Sequence, residues 1–164
     1  MEKTIAVLGV GNILCQDDGI GVHLVNRLLS AGLPSNVHLI DVGVNTLDSL
    51  VYFEDFHLVV IIDALKGGSP PGTLYKLKPQ DIVEYDQNNL SLHDVQVLDL
   101  VAMAAKLNKH PRVLIYGIEP KNTSLGMELS AELQRKMDEL VRYLQKDLGE
   151  LAAGAGSHQD ILQL

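Results

Sequence analysis

Tryptophan is absent from the 164 residues, aromatic residues make up only 4%, and there is a single cysteine. A core so poor in rings has to be built from Val, Leu, Ile and Ala, and a hydrophobic fraction of 46% supplies them. The lone Cys15 cannot form an internal disulfide, which fits a reducing compartment. Positive charge is scarce: 13 Lys and Arg stand against 21 Asp and Glu, a formal charge of −8 with a pI near 5.1. Nucleic acid is therefore an unsuitable partner, because phosphate binding needs a clustered positive field. No apolar run approaches the ~20 residues of a membrane span. The run that follows Met1-Glu2-Lys3-Thr4 stops at Gly9, too short for a secretory h-region. The expectation is a cytoplasmic protein without a membrane partner.

What is present is strands alternating with helices. Ile5-Ala6-Val7-Leu8, closed by Gly9, reads as a strand buried on both faces. Ile20, Leu24, Val25, Leu28 and Leu29 then repeat at helical spacing until Gly32 and Pro34. Val37 to Ile40 is a second strand ending at Asp41, and Thr46 is placed to cap a short helix bearing Leu47, Leu50 and Val51. His57 to Ile62 is the strongest strand signal, and Asp63 ends it. Thr73-Leu74-Tyr75-Lys76-Leu77 alternates as an edge strand does, and a less regular stretch follows. A helix from Asp94 to Leu107 with Val97, Leu98, Val101, Ala104 and Ala105 on one face precedes a last buried strand, Val113 to Ile118. Ser130 caps a final helix with the stripe Leu133, Met137, Leu140, Val141 and Leu144.

This order predicts a single three-layer α/β domain over residues 1–148, with a mostly parallel twisted sheet, helices on both faces and one antiparallel edge strand. One domain suits the length, since a chain of this size buries roughly 70% of its unfolded surface. Residues 149–164, with Ala-Gly-Ala-Gly-Ser, read as a flexible C-terminal tail.

In such sheets ligands bind at the carboxyl ends of the strands. Asp17-Asp18 after the first strand, Asp63 at the end of the central one, and His93 at a helix start all fall there. Two carboxylates and an imidazole are a partial shell for a divalent transition metal, with positions left for water or a partner's groups. Each also has a plainer reading: Asp18 or Asp94 can stabilise a helix dipole, and Asp63 can accept from turn amides. Spacing alone leaves both open.

Gly9-Val10-Gly11-Asn12 suggests a dinucleotide loop, but the fingerprint's third glycine is replaced by Leu14, and Asp17 and Asp18 stand where a pyrophosphate would need a positive helix end. A cysteine hydrolase would need Cys15 beside a base, and no oxyanion signature accompanies it. His23, His38, His57 and His110 lack partners at ligand spacing. No Gly-x-Ser-x-Gly elbow, His-Glu-x-x-His helix or Walker loop is present.

The run from Gly9 through Asn12, Asp17 and Asp18 to Gly21 resembles the opening motif of the nickel-iron hydrogenase maturation endopeptidases, the HyaD/HybD/HycI-like group. The resemblance continues through Ile40-Asp41-Val42-Gly43, Ile61-Ile62-Asp63-Ala64, Ser91-Leu92-His93, Gly117-Ile118-Glu119-Pro120 and Leu125-Gly126-Met127-Glu128-Leu129-Ser130. It implies a hydrolase that removes a short C-terminal peptide from a hydrogenase large-subunit precursor after nickel insertion. It also implies that Asp18, Asp63 and His93 contact metal, with Asp41 as an auxiliary catalytic candidate. Some family members carry Glu at the position of Asp18, so either acid serves. Nickel is expected as part of the substrate rather than as a tightly bound metal of the free enzyme, which is expected to be a monomer. Two other classes would be told apart by experiment: a non-catalytic nickel-delivery factor by tight free-metal binding, a dinucleotide-binding module by cofactor titration.

Overall fold

The computed structural model describes residues 3–84, 92–110 and 112–154, with side chains described outside 83–96. Strands β1 (Ile5–Val10), β2 (Val37–Gly43), β3 (Leu58–Ala64), β4 (Leu74–Leu77) and β5 (Arg112–Ile118) form one sheet in the order β2-β1-β3-β5-β4. β2, β1, β3 and β5 are parallel, and β4 joins the edge antiparallel to β5. Helices α1 (Ile20–Leu28), α2 (Tyr52–Asp55), α3 (Pro79–Glu84), α4 (Leu92–Lys106) and α5 (Ala131–Ala152) cover it on two sides. No helix among the described residues is long and apolar enough to cross a membrane.

The pleat sorts side chains between two cores. Ile5 and Val7 of β1 and Val60 and Ile62 of β3 pack with Leu24 and Leu28 of α1 and Leu133, Leu140 and Leu144 of α5. Ala6, Leu8 and Val10, with Val59 and Ile61, face Phe53, Ile82, Val97, Leu100 and Ala104 on the α2–α4 side. Because β1 and β3 are buried on both faces, their sequences show no alternation.

Several expected boundaries shift. The Thr46 helix is a 3₁₀ turn, Thr46–Val51, that runs into α2; Leu47 and Val51 are exposed, and Phe53 is the anchor. α3 occupies the stretch read as irregular. Leu29 lies beyond the end of α1 and points to solvent. The C-terminal tail begins later than expected, because α5 continues through Gly149 to Ala152. Leu148 is fully buried and Leu151 and Ala152 pack on the α1–α5 core, extending the apolar stripe. Residues 155–164 of that expected tail lie outside the described residues. Ser130 caps α5 as its sequence suggests, its hydroxyl accepting from the Leu133 N–H.

Candidate active site

The strand order reverses between β1, which leads to β2 on one side, and β3 on the other. This switch point opens a crevice at the carboxyl ends of the strands, where α/β sheets bind ligands. The chain leaves β1 through Gly11 to a 3₁₀ turn, Gln16–Gly19, which packs beside β3 and carries Asp17 and Asp18. Four glycines make this approach possible. A Cβ on Gly21 would stand 2.0 Å from the Ile62 carbonyl oxygen and 2.4 Å from that of Val10. Gly11, at φ 137°, lies where a Cβ would come within 2.0 Å of the Asp18 carbonyl oxygen. Gly9 and Gly19 also leave no room, a Cβ meeting its nearest neighbour at 2.6 and 2.7 Å, so the glycine run seats α1 on the strand ends.

The adjacent acids do different things. Asp17 is fully buried and accepts from the N–H groups of Lys121 (2.9 Å), Asn122 (3.0 Å) and Ser130 (2.7 Å). It is a tie between the loop after β1 and the loop before α5. Asp18 is also buried, and its Oδ2 accepts from the Asn12 N–H at 3.1 Å. That amide is one a phosphate would need in a dinucleotide loop, and the chain's own carboxylate covers it.

Asp63 is buried near the end of β3, beside Gly117 of β5, and its Oδ1 accepts from the Ala64 N–H at 2.8 Å. Its parity with Val59 and Ile61 puts it on the α2–α4 face. α4 packs on that face, and only residues 107–111 separate it from the start of β5. It therefore runs antiparallel to β5, with its first turn at the carboxyl ends of the strands. His93 is in that turn; its side chain lies outside the described residues. The backbone thus puts Asp18, Asp63 and the His93 position at one edge of the sheet. Among the described residues no three His, Cys, Asp or Glu side chains are grouped to hold an ion.

Asp41 lies elsewhere. It pairs with Gly9 in register, and the parity that sends Val37 and Leu39 to the α1–α5 core sends it to that face, opposite Asp63. Its Oδ2 accepts from Asn26 Nδ2 at 3.4 Å, and its charge partly offsets the burial that lowers the pKa of His23.

A fourth buried carboxylate, Glu119, lies in the Gly117-Ile118-Glu119-Pro120 motif, to which the sequence assigned no role. It accepts from Gly67 N–H (2.6 Å), Gly68 N–H (3.3 Å) and the Tyr75 hydroxyl (2.7 Å), fixing the loop that follows Asp63. Burial, together with the neighbouring Glu119 carboxylate, keeps the Tyr75 phenol protonated to higher pH than usual. Neither Asp17 nor Glu119 could be told from a surface acid in the sequence, because their partners are 44 to 113 residues away. A depression of about 620 Å³ lined by Leu33, Pro34, Arg142, Gln145 and Ala153 lies at the other end of the molecule. It is remote from the acids, and its volume does not mark the site.

The hydrogenase maturation protease family, compared as a sequence profile, matches residues 22–146. The hydrogenase expression/formation protein HupD of Rhodobacter capsulatus is 30% identical over 98% of this chain and 80% of its own length. The hydrogenase 2 maturation protease of Escherichia coli is 27% identical over 82% and 84%. Among solved structures, the hydrogenase maturating endopeptidase HybD of Escherichia coli superposes with a TM-score of 0.78 at 25% identity, covering 90% of this chain and 93% of that one. The hydrogenase 2 maturation peptidase of a Thaumarchaeota archaeon gives 0.66 at 29%, covering 94% and 100%. With a family match over most of its length and an α/β sheet shared with a solved endopeptidase, the chain belongs to the hydrogenase maturation proteases and is a hydrolase of the endopeptidase class.

Proposed function

We propose that this endopeptidase removes a C-terminal peptide from the large-subunit precursor of a nickel-iron hydrogenase after nickel has been inserted. In this reading Asp18, Asp63 and His93 contact the nickel that the precursor already holds. The observation that carries it is the placement of Asp18, in the 3₁₀ turn that packs beside β3, and of Asp63 near the end of β3, with the first turn of α4 on the same face as Asp63.

Two carboxylates and an imidazole suit a borderline divalent ion, and three protein ligands leave room for groups of the substrate. Ligand bonds of about 2.0–2.2 Å demand close docking, so the ion registers the scissile bond against the enzyme. A precursor without metal lacks this contact, which makes cleavage depend on maturation as a difference in affinity between loaded and empty substrate. The metal supplies Lewis acidity toward a carbonyl or water. A carboxylate oxygen of Asp18 or Asp63 that is not bonded to the ion would accept the proton. A site shared between two proteins holds free metal weakly, and the enzyme works as a monomer in the cytoplasm, where Cys15 stays reduced.

The test is incubation of the purified protein with nickel-loaded and nickel-free precursor, the products weighed by mass spectrometry. A mass loss confined to the loaded precursor is expected. Equal cleavage of both would remove the metal-reading step, and tight stoichiometric nickel on the free protein with no peptide released would favour a delivery factor.

A further inference from the structure

At the rim beside Asp18, four large apolar side chains stand in solvent: Ile13, Leu14, Leu125 and Met127, the last two 85% and 70% exposed. They come from two loops more than a hundred residues apart that are joined through their backbones. Gln16 N–H donates to the Gly126 carbonyl at 2.8 Å, and Gly126 N–H donates to the Leu14 carbonyl at 2.9 Å. This parallel bridge pairs Cys15 with Gly126, so Leu14 runs beside Leu125 at about the 4.8 Å spacing of paired strands. The Gln16 side chain lies over Gly126, where a Cβ would meet its Cγ at 2.9 Å.

The first of these loops is also closed on Asp18 from both ends. Asn12 N–H donates to the Asp18 carboxylate, and Asp18 N–H donates to the Cys15 carbonyl at 3.1 Å. The Leu14 N–H is held by Asn12 Oδ1 at 2.9 Å. Exposed apolar groups gathered on a hydrogen-bonded frame, unlike those scattered singly such as Leu29 and Leu107, are characteristic of an interaction site. Residues 12–16 carry no charge, so the loop offers nothing to an ionic partner.

Continuity with Asp18 decides the occupant. Ile13 and Leu14 follow the Asn12 whose N–H binds the Asp18 carboxylate, so residues flanking a peptide bond brought to Asp18 would come next to them. We infer that Ile13, Leu14, Leu125 and Met127 form a platform that docks an apolar stretch of the substrate polypeptide next to the bond that is cut. The inference rests on the proposed reading of the substrate as a hydrogenase precursor.

The test measures the Kd of labelled nickel-loaded precursor for the full chain, at low and high salt, with cleavage followed separately. The variant is Leu125→Ser/Met127→Ser; the control is Leu29→Ser/Leu107→Ser, exposed apolar positions just past the far ends of α1 and α4. The platform variant is expected to bind about tenfold or more weakly, independent of salt, with the control unchanged. Thermal melts matching the wild type exclude misfolding as the cause. Equal binding by the platform variant overturns the platform alone, as does an equal loss in the control. A change in oligomeric state by light scattering with no change in Kd assigns the patch to a second copy and also overturns it. If the wild type fails to bind precursor, both readings fall; if it binds without cutting, only the cleavage reading falls, and the Kd comparison still decides the platform.

Discussion

The carboxylate of Asp17 accepts a 2.7 Å hydrogen bond from the N–H of Ser130, the residue whose own hydroxyl caps α5. One buried acid thereby joins the loop after the first strand to the start of the last helix, and it holds two more amides at Lys121 and Asn122.

Loss of Asp17 is expected to cost far more stability than its position beside the site suggests. Asp17→Ala leaves three part-buried N–H donors without their acceptor, at about 1–3 kcal/mol each before any relaxation. A net loss of about 3 kcal/mol or more is expected in urea unfolding. Asp17→Asn, which keeps one acceptor oxygen, is expected to fall between. A loss below about 1 kcal/mol for the alanine variant would show that the tie is not holding the two loops together.

Glycines at different depths should respond in opposite directions. Gly21→Ala forces a methyl to within 2.0 Å of a main-chain oxygen of β3, and neither α1 nor the strand can yield without separating. Failure to fold, or a loss above about 3 kcal/mol, is expected. Gly149 lies inside α5 with no atom within 4 Å of a Cβ. There, alanine removes backbone freedom from the unfolded chain and is expected to stabilise by about 0.5–1 kcal/mol. Thermal melts of the two variants check both, and an unchanged melt for Gly149→Ala would argue against the helix extending that far.

The His23 imidazole sets an acid limit. Burial lowers its pKa in the folded state, against a smaller opposing effect of Asp41, and Nε2 is buried without a hydrogen-bond partner among the described residues. The unfolded chain binds this proton more readily than the folded one, so stability from this group is present above about pH 6.5 and is lost as pH falls through that value toward the lower folded pKa. His23→Gln is expected to flatten the acid side of a stability profile taken from pH 8 to pH 5. Asp41→Asn removes the opposing effect and is expected to steepen it. An unchanged slope in both would show that His23 is solvated.

Much of this architecture could be read along the chain, and the failures have local causes. β1 and β3 were legible because strands buried on both faces are continuous apolar runs, and β4 because an edge strand alternates. Leu29 fits the stripe of α1 yet falls outside it, because the helix ends one residue earlier and periodicity carries no record of termination. α3 spans six residues, too few for its period to emerge. Within the site, residue types and their place at strand ends pointed to Asp18 and Asp63. The division of labour between Asp17 and Asp18 was illegible, since it depends on amides at Lys121, Asn122 and Ser130. The separation of Asp41 from Asp63 was illegible too, because the faces of β2 and β3 are related only by the register of both strands on β1.

At Asp18 charge and shape can be separated. Asn retains an oxygen for the 3.1 Å bond from the Asn12 N–H, so Asp18→Asn is expected to melt close to the wild type. It loses the negative charge and most of the ability to ligate a cation, and release of the C-terminal peptide is expected to fall by about 10²-fold or more. Asp18→Glu keeps the charge and a ligating carboxylate, and it is expected to retain more activity than the amide. Asp63→Asn and His93→Ala are expected to behave as Asp18→Asn does, with intact folding and lost cleavage in the mass-spectrometric assay. If Asp18→Asn and His93→Ala both process the nickel-loaded precursor normally, these residues are not the metal contacts, and Asp18 is left as an acceptor for the amide of its own loop.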